Sequence, residues 1–385
     1  MTPRQSRGAI VGAGEIRPVR RTHGTTTLEM IAEASRLAAL DAEIDPQAID
    51  GLLVGTQVGE TPQHVAATVA EYLGLKPRMA NMVDLGGASA AGMIWRAAAA
   101  IQAGMCDTVL CVLANNREEQ LPRSPNRNPI REFDVPFGAS GANTTYALLM
   151  QAHMSRFKSK PEDFAAIAAW ARKNAQQNPD AIFYGRPASI DDILASPIVA
   201  TPLHLFEIVM PVAGGDAVIV VSPERARSFK KAPVHLLGAG EKVTHRALSQ
   251  CENLFSGPLK DAMAQAFAQS STSASEMNLL SLYDCYTIMV AITLEDAGLC
   301  PSGGFGEWLR DQDLGPRGKF PLNTHGGQIG FGQPDLAGGM GHVVEAVRQL
   351  RGDGGERQIP NARLALITGN GATMSEATAL VLGAD

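Results

Sequence analysis

Two octapeptides decide how this chain is read: GAIVGAGE, from Gly8 to Glu15, and VHLLGAGE, from Val234 to Glu241. Each is an apolar run closed by Gly-Ala-Gly-Glu, and they stand more than two hundred residues apart. Self-similarity on that scale marks two halves descended from one unit. Further matches follow each copy in the same order. After the first come apolar residues at helical spacing (Leu28, Ile31, Ala34, Ala38), then Ile49-Asp50-Gly51 and a strand expected over 52–55. After the second, residues 259–268 are amphipathic, and 279–282 lead into Tyr283-Asp284-Cys285-Tyr286. Each half then has a glycine pair, a long helical stretch and an apolar strand. These are Gly86-Gly87 with 88–103 and 109–113, and Gly326-Gly327 with 339–350 and 364–367.

Strands alternating with helices predict βαβ units, mostly parallel sheets and a layered α/β fold. Residues 1–116 and 206–228 are assigned to the first half and 229–385 to the second. Between them, 117–205 is an inserted loop region rich in Pro, Arg and Asn, with helices expected around 142–157 and 161–177. Its arginines (Arg117, Arg123, Arg127, Arg131) suit either a nucleotide phosphate or a solvated loop balanced by Glu118, Glu119 and Glu132. A dinucleotide fold is excluded. Gly12-x-Gly14 is followed by Glu15, Ile16 and Arg17, so the third glycine of G-x-G-x-x-G is missing, and the recurrence at Gly238-x-Gly240 predicts a structural turn instead.

Composition narrows the function. The chain has 385 residues, 45% hydrophobic and 19% charged, with a net charge of −6 and no block of like charge. Sequence-independent binding to nucleic acid or to an anionic membrane is not expected. No window approaches eighteen consecutive apolar residues, and the N-terminus does not read as a secretion signal. The five cysteines, Cys106, Cys111, Cys251, Cys285 and Cys300, lack C-x-x-C spacing. They imply a reducing, cytoplasmic setting and no bound metal. The 39 glycines, against a usual ~7%, predict tight turns and close backbone approaches.

The segments of the second half resemble the thiolase superfamily, most closely its sterol-carrier-protein-type branch. Tyr283-Asp284-Cys285-Tyr286-Thr287 with Leu294 to Cys300 is similar to that branch's HDCFS and EALGLC segments. Asn323-Thr324-His325-Gly326-Gly327 through Gly332-Gln333-Pro334 resembles its N-x-x-G-G…G-H-P loop, and Glu345 to Gly352 with Arg357 to Pro360 its ELCWQLRG…RQVP run. The resemblance implies the duplicated five-layer αβαβα thiolase-like fold, commonly dimeric, and an acyl-CoA substrate with no covalently bound cofactor.

Against that family, the catalytic positions are empty. Counting back from Ile101 and Gly104 puts the acyl-carrying cysteine at Gly87, which has no side chain. The G-H-P histidine is Gln333, which exchanges no proton near neutral pH. The second acid/base position falls near Thr368-Gly369 or, in the HDCFS segment, at Tyr283. What remains resembles the aldolases of the same superfamily, which pair with a small zinc-ribbon OB-fold subunit and cleave a β-hydroxyacyl-CoA by a retro-aldol reaction without an acyl-enzyme. Such members carry tyrosine where Tyr283 stands. Their second tyrosine, after the G-H-P position, is absent here, where Asp335 to Gly339 are found. The resemblance thus implies Tyr283 and His325 as proton-handling groups. It places Gly87, Ser89, Asn323, Gly326, Gly327, Gln333 and Gly339 around the substrate and its pantetheine arm.

For Tyr283 to act as a base, neighbours must lower its ordinary pKa of ~10. His325, before a glycine pair, is expected to be accessible. Asn323 is expected to order its own turn, Ser89 to cap or pack a helix, Cys285 and Cys300 to be buried, and His153 and His342, on predicted helices, to lie at the surface or an interface. Asp335 is a surface aspartate or a supplementary carboxyl group. Two other functions fit the same chain: a thiolase-type acyltransferase such as an acetyl-CoA acetyltransferase, and a non-catalytic CoA-binding or scaffold subunit.

Overall fold

The computed structural model describes residues 5–56, 63–117, 136, 138–139 and 141–384. Arg123, Arg127 and Arg131 and their acidic neighbours lie outside these. The strands are β1 (Ala9–Val19), β2 (Gly51–Val54), β3 (Met79–Met82), β4 (Thr108–Asn115), β5 (Ile198–Ala200), β6 (Leu203–His204), β7 (Ala213–Val221), β8 (Val234–Val243), β9 (Leu279–Ser281), β10 (Leu364–Gly371) and β11 (Glu376–Gly383). Nine of them form one sheet in the order β3-β2-β4-β7-β1-β8-β11-β10-β9, and β5 and β6 pair separately. At the centre, β1 meets β8 only through Ala9 opposite His235 and Ile10 opposite Val234. The sheet is therefore two half-sheets touching at their first strands. The order β2-β4-β7-β1 is repeated by β9-β10-β11-β8, with β3 as the first half's extra edge strand.

The expectation of mostly parallel pairing needs correction. Only β2–β3, β2–β4 and β9–β10 are parallel. β7 runs antiparallel to β4 and β1, and β11 antiparallel to β10 and β8. For β11 the reason is the connection: a short turn joins it to β10, whereas a parallel partner needs a crossover of about a dozen residues.

Helices α1 (Thr27–Ala42) and α2 (Val65–Tyr72) cover the outer face of the first half-sheet. Helix α3 (Ser89–Gln102) lies between the halves. In the inserted stretch come α4 (Gly141–Phe157) and α5 (Pro161–Ala175), which pack on the second half. There α6 (Pro258–Ser270) covers β8 and β11, α7 (Thr287–Asp296) lies beside it, and α8 (Gly338–Arg351) joins α3 in the central layer. This is the five-layer arrangement of the thiolase fold. Met93, Ile94 and Ala97 of α3 and Met340, Val343 and Val347 of α8 share one apolar core with Val218 and Val220 of one half and Ala365 and Leu380 of the other. Local signals agree: α1 opens on a capping box in which Glu29 N–H donates to Thr26 Oγ1 (3.2 Å) and Thr26 N–H to Glu29 Oε2 (2.7 Å). Among the described residues no helix is long and apolar enough to cross a membrane.

The repeated Gly-Ala-Gly is not a turn. It lies inside β1 and β8, where the glycines let a helix backbone lie directly on the strand. A Cβ on Gly12 would sit 2.8 Å from the Ala42 Cβ, and one on Gly14 2.5 Å from the Ala38 nitrogen of α1; on Gly238 and Gly240 it would overlap the Ala266 and Ala262 carbonyls of α6. The repeated glutamates reach the central layer in an exchanged fashion. Glu241, in the second half, pairs with Arg96 of α3 (2.6 Å), and Glu15, in the first, pairs with Arg348 of α8 (2.5 Å). Each half thus grips the other half's central helix.

His153, expected at the surface or an interface, is fully buried. One ring nitrogen lies 3.3 Å from the Glu295 carboxylate and the other 3.0 Å from Ser159 Oγ, among Phe157, Phe164 and Phe305. His153 lies on the same helix face as the buried Tyr146, Leu149 and Met150, and its carboxylate partner Glu295 comes from α7, far away in sequence.

Candidate active site

The central helices α3 and α8 begin side by side, and Tyr283, just beyond the end of β9, is inserted between their starts. Gly87 precedes α3 and Gly339 lies in the first turn of α8. A Cβ on Gly87 would fall 2.6 Å from the Asn370 carbonyl oxygen and nearer still to Oη and Cζ of Tyr283. The phenol therefore fills the space that a nucleophile's side chain would occupy. A Cβ on Gly339 would lie 2.6 Å from the Gly87 carbonyl oxygen and 3.5 Å from the Tyr283 ring. With no side chain at either position, the helix starts close around the tyrosine, and their partial positive charge favours an anion forming there.

The backbone that carries Tyr283 is held at successive residues. Leu282 N–H donates to Asn323 Oδ1 (2.8 Å), while Asn323 Nδ2 donates to the Leu282 carbonyl (2.9 Å). Tyr283 N–H donates to Thr368 Oγ1 (2.9 Å). Asp284 Oδ1 accepts from Gln328 N–H (2.8 Å) and its Oδ2 from Ile329 N–H (3.3 Å). Asn323, expected to order its own turn through its side chain, instead clamps a neighbouring strand end from a left-handed backbone at φ 46°. Gly327, at φ 61°, leaves room for the Asp284 carboxylate, which a Cβ would overlap. Gly326, at φ 110°, packs against Ala175 and Phe331. Contacts within the protein thus account for both glycines. Ser89 is buried and its Oγ accepts from Leu85 N–H (2.9 Å), closing the turn before α3.

Gln333 stands against the phenol: its Nε2 donates to Tyr283 Oη (3.3 Å). Its loop is tied to the segment before β7 through Gln333 N–H to Met210 O (2.8 Å) and Val212 N–H to Gln333 O (3.0 Å). Burial pushes the Tyr283 hydroxyl well above its ordinary range, the Cys285 thiol and the Asp335 and Asp284 carboxylates push the same way, and the Gln333 amide opposes them. This reverses the lowered value that action as a base demands; among the described residues no cation offsets the burial, and Tyr283 is a neutral phenol at physiological pH. It is equipped to donate a proton or a hydrogen bond. Asp335, exposed and in a left-handed backbone at φ 51°, supplies a carboxylate within electrostatic reach of it.

His325 is not accessible. It is 3% exposed, burial pushes its pKa down to about 3, and Nδ1 has no hydrogen-bond partner among the described residues. Its ring packs on Phe331 and on His342, and His342 is the ring that adjoins Tyr283. His342 is likewise buried, not at the surface. Both lie in the packing between α8 and the second half-sheet, which brings together segments that look polar and loop-like in isolation.

Cys285 is buried beside the site, and burial raises its thiol to about 12. It is therefore no nucleophile near neutral pH. Tyr146, from the inserted stretch, stacks on Tyr286 with ring centroids 4.1 Å apart, and its hydroxyl accepts from Asn370 Nδ2 (2.7 Å) and donates to the Ala372 carbonyl (3.1 Å). Sequence reading missed this wall because α4 and β10 are joined only by the fold.

The arrangement is matched by known proteins. A family model described as "Thiolase C-terminal domain-like" matches residues 240–384. The chain is 30% identical to a "Steroid side-chain-cleaving aldolase" of Thermomonospora curvata over 98% of each chain. It is 29% identical to a "17-hydroxy-3-oxo-4-pregnene-20-carboxyl-CoA lyase" of Mycobacterium tuberculosis, covering 89% of this chain and 91% of that one. The solved structure described as "Ltp2-ChsH2(DUF35) aldolase" superposes with a TM-score of 0.90 at 30% identity, over 98% of each chain.

Proposed function

The chain belongs to the thiolase superfamily, in its sterol-carrier-protein-like branch, and from that premise we propose that it is a carbon–carbon lyase acting on a β-hydroxyacyl-CoA by retro-aldol cleavage. The observation that carries this is the phenol of Tyr283 standing over Gly87. An acyl-enzyme has no thiol to form on, whereas an enolate has a proton donor and an amide donor waiting.

In this reaction a base takes the proton of the β-hydroxyl, the Cα–Cβ bond breaks, and a carbonyl compound leaves. The electron pair is left as the enolate of the shortened thioester. Gln333 Nε2 and the starts of α3 and α8 stabilise the enolate oxygen. Tyr283 delivers a proton to Cα, giving the shortened acyl-CoA, and regains one from the protonated base through solvent. Asp335 is the base, as an exposed carboxylate whose charge acts on the Tyr283 hydroxyl. Burial keeps Tyr283 as the neutral phenol, the form a donor needs; its raised pKa makes it a weaker acid than a free phenol, but the enolate carbon it protonates is far more basic. Gly339 borders the approach of the pantetheine arm, while Gly326, Gly327, Ser89 and Asn323 hold the backbone around the site. His325 contributes as a neutral, buried part of the scaffold.

The names of the relatives support a steroid side-chain acyl group as the substrate class and a DUF35-type protein as partner, in the place of the small zinc-ribbon OB-fold subunit that the resemblance implies. A homodimer and a cytoplasmic location complete the proposal. The test is incubation with a synthetic β-hydroxyacyl-CoA, alone and with the partner co-expressed. Release of an aldehyde or ketone with a shortened acyl-CoA and no free CoA is expected. Tyr283→Phe should lower the rate at least about a hundredfold, a usual share for general acid–base catalysis. CoA-dependent cleavage of a 3-ketoacyl-CoA would instead establish an acyltransferase, and an unaffected Tyr283→Phe rate would remove that residue from the chemistry.

A further inference from the structure

One imidazole bridges the two residues that flank Tyr283. His342 sits in the second turn of α8, fully buried. Its Nδ1 lies 3.0 Å from Oγ of Ser281, two residues before the tyrosine, and its Nε2 lies 3.2 Å from Oδ1 of Asp284, one residue after it. Ser281 and Asp284 are themselves at most 1% exposed. The Ser281 hydroxyl also lies 3.1 Å from the His342 carbonyl, so both the side chain and the backbone of His342 are fastened to the end of β9. Both ring nitrogens are therefore engaged whichever of them carries the proton: Nδ1 by the Ser281 hydroxyl, and Nε2 by the Asp284 carboxylate, with Gln328 Nε2 3.4 Å from the same nitrogen. The Tyr283 and His342 rings lie 6.2 Å apart, so the imidazole adjoins the phenol ring without sharing a hydrogen bond with its hydroxyl.

We propose that His342, acting through Ser281 and Asp284, is the positioning residue that holds the Tyr283 phenol over Gly87 in the geometry for proton transfer. It rests on Tyr283 being the proton donor of the lyase. A proton transfer falls off steeply when its donor is misplaced: an error of about 1 Å can cost on the order of a hundredfold. The tyrosine sits just past a strand of only three residues, β9, so its placement depends on side-chain ties more than on the sheet ladder. A histidine serving only to pack α8 against β9 would instead affect stability and leave the phenol where it is.

The test uses the full chain, with its partner if activity requires one, and the variants His342→Gln, His342→Leu and Ser281→Ala. Glutamine keeps one donor and one acceptor; leucine keeps neither. Expected are a kcat loss of about tenfold to a hundredfold for His342→Leu, with KM within about twofold, and recovery of most of that loss in His342→Gln. In a Tyr283→Phe background His342→Leu should have no further effect on rate. The second readout needs no turnover. The chain has five tyrosines, so 3-fluorotyrosine labelling gives five fluorine resonances, and the one lost in Tyr283→Phe reports the phenol. It should shift or broaden in His342→Leu and in Ser281→Ala, and stay near its wild-type position in His342→Gln. An unchanged resonance, or a rate loss that simply multiplies with that of Tyr283→Phe, would overturn the assignment. If wild-type protein cleaves no β-hydroxyacyl-CoA, the lyase proposal fails on its own and the fluorine spectrum still decides the positioning. If His342→Leu does not fold, Ser281→Ala, which removes one hydroxyl, decides it.

Discussion

Gly87→Ala adds a single methyl group where the structure has no room for one. The new Cβ would lie 2.6 Å from the Asn370 carbonyl oxygen and closer still to the Tyr283 hydroxyl, while ordinary contact begins at 3.4 Å. The phenol must therefore retreat by more than 0.8 Å, and the Asn370 carbonyl of β10 must give way as well. Overpacking of this kind costs about 1–3 kcal/mol of stability, and a donor displaced by about 1 Å loses on the order of a hundredfold in rate. The assay is retro-aldol turnover with kcat and KM separated, alongside thermal unfolding. We expect kcat to fall about a hundredfold with KM little changed, and Tm to drop by several degrees. A cycle with Tyr283 identifies the cause. Tyr283→Phe leaves the ring carbon in place, so the steric cost of Gly87→Ala should persist; Tyr283→Ala clears the space, and the cost should shrink by about 1–3 kcal/mol, the coupling typical of residues in contact. The same geometry bars a restored nucleophile, since Gly87→Cys cannot coexist with the native tyrosine. Wild-type activity and stability in Gly87→Ala would refute the placement of Tyr283 over this glycine and, with it, the explanation for the missing cysteine.

Two further outcomes follow from buried groups. His325 is neutral in the fold down to a pKa of about 3, while the unfolded imidazole takes up a proton below about 6.5. Its contribution to stability is therefore complete above about pH 6.5 and lost as the pH falls toward 3. Denaturant unfolding of His325→Gln across that range should show a shallower acid loss than wild type, and its cleavage rate at pH 7 to 8 should stay within about threefold of wild type; a larger loss would restore His325 to the chemistry. Asp216 on β7 lies beside Glu15, fully buried with Oδ1 unpartnered, and burial raises its pKa well above the carboxylate range, with Glu15 adding and Arg348 opposing. The folded state then holds a proton that the unfolded state has released, so stability falls as pH rises from about 4 through the raised value. Asp216→Asn should remove that slope and raise Tm at pH 8; an unchanged pH profile would show that Asp216 is already ionised in the fold.

The duplication was legible from two short phrases because both copies answer one local constraint: a strand whose alternate side chains must vanish for a helix to lie on it. What Gly-Ala-Gly meant was not legible. The same residues serve a turn or a close strand–helix contact, and only the positions of Ala38, Ala42, Ala262 and Ala266 distinguish them. Strand direction escaped for a related reason. Alternation of strands and helices is common to parallel and mixed sheets, and the antiparallel β7 and β11 depend on which strands become neighbours.

At the site, the sequence by itself determined what is missing: no thiol at position 87, no imidazole at 333. It also singled out Tyr283, because composition at aligned positions requires no coordinates. The tertiary structure decided what those absences are for. Gly87 has no side chain where Tyr283, about two hundred residues away in the chain, fills the space; His325 is neutral because packing removes it from water; Tyr283 keeps its proton because burial disfavours the phenolate. Protonation and steric exclusion are set by neighbours in space, and a linear chain does not record which neighbours those will be.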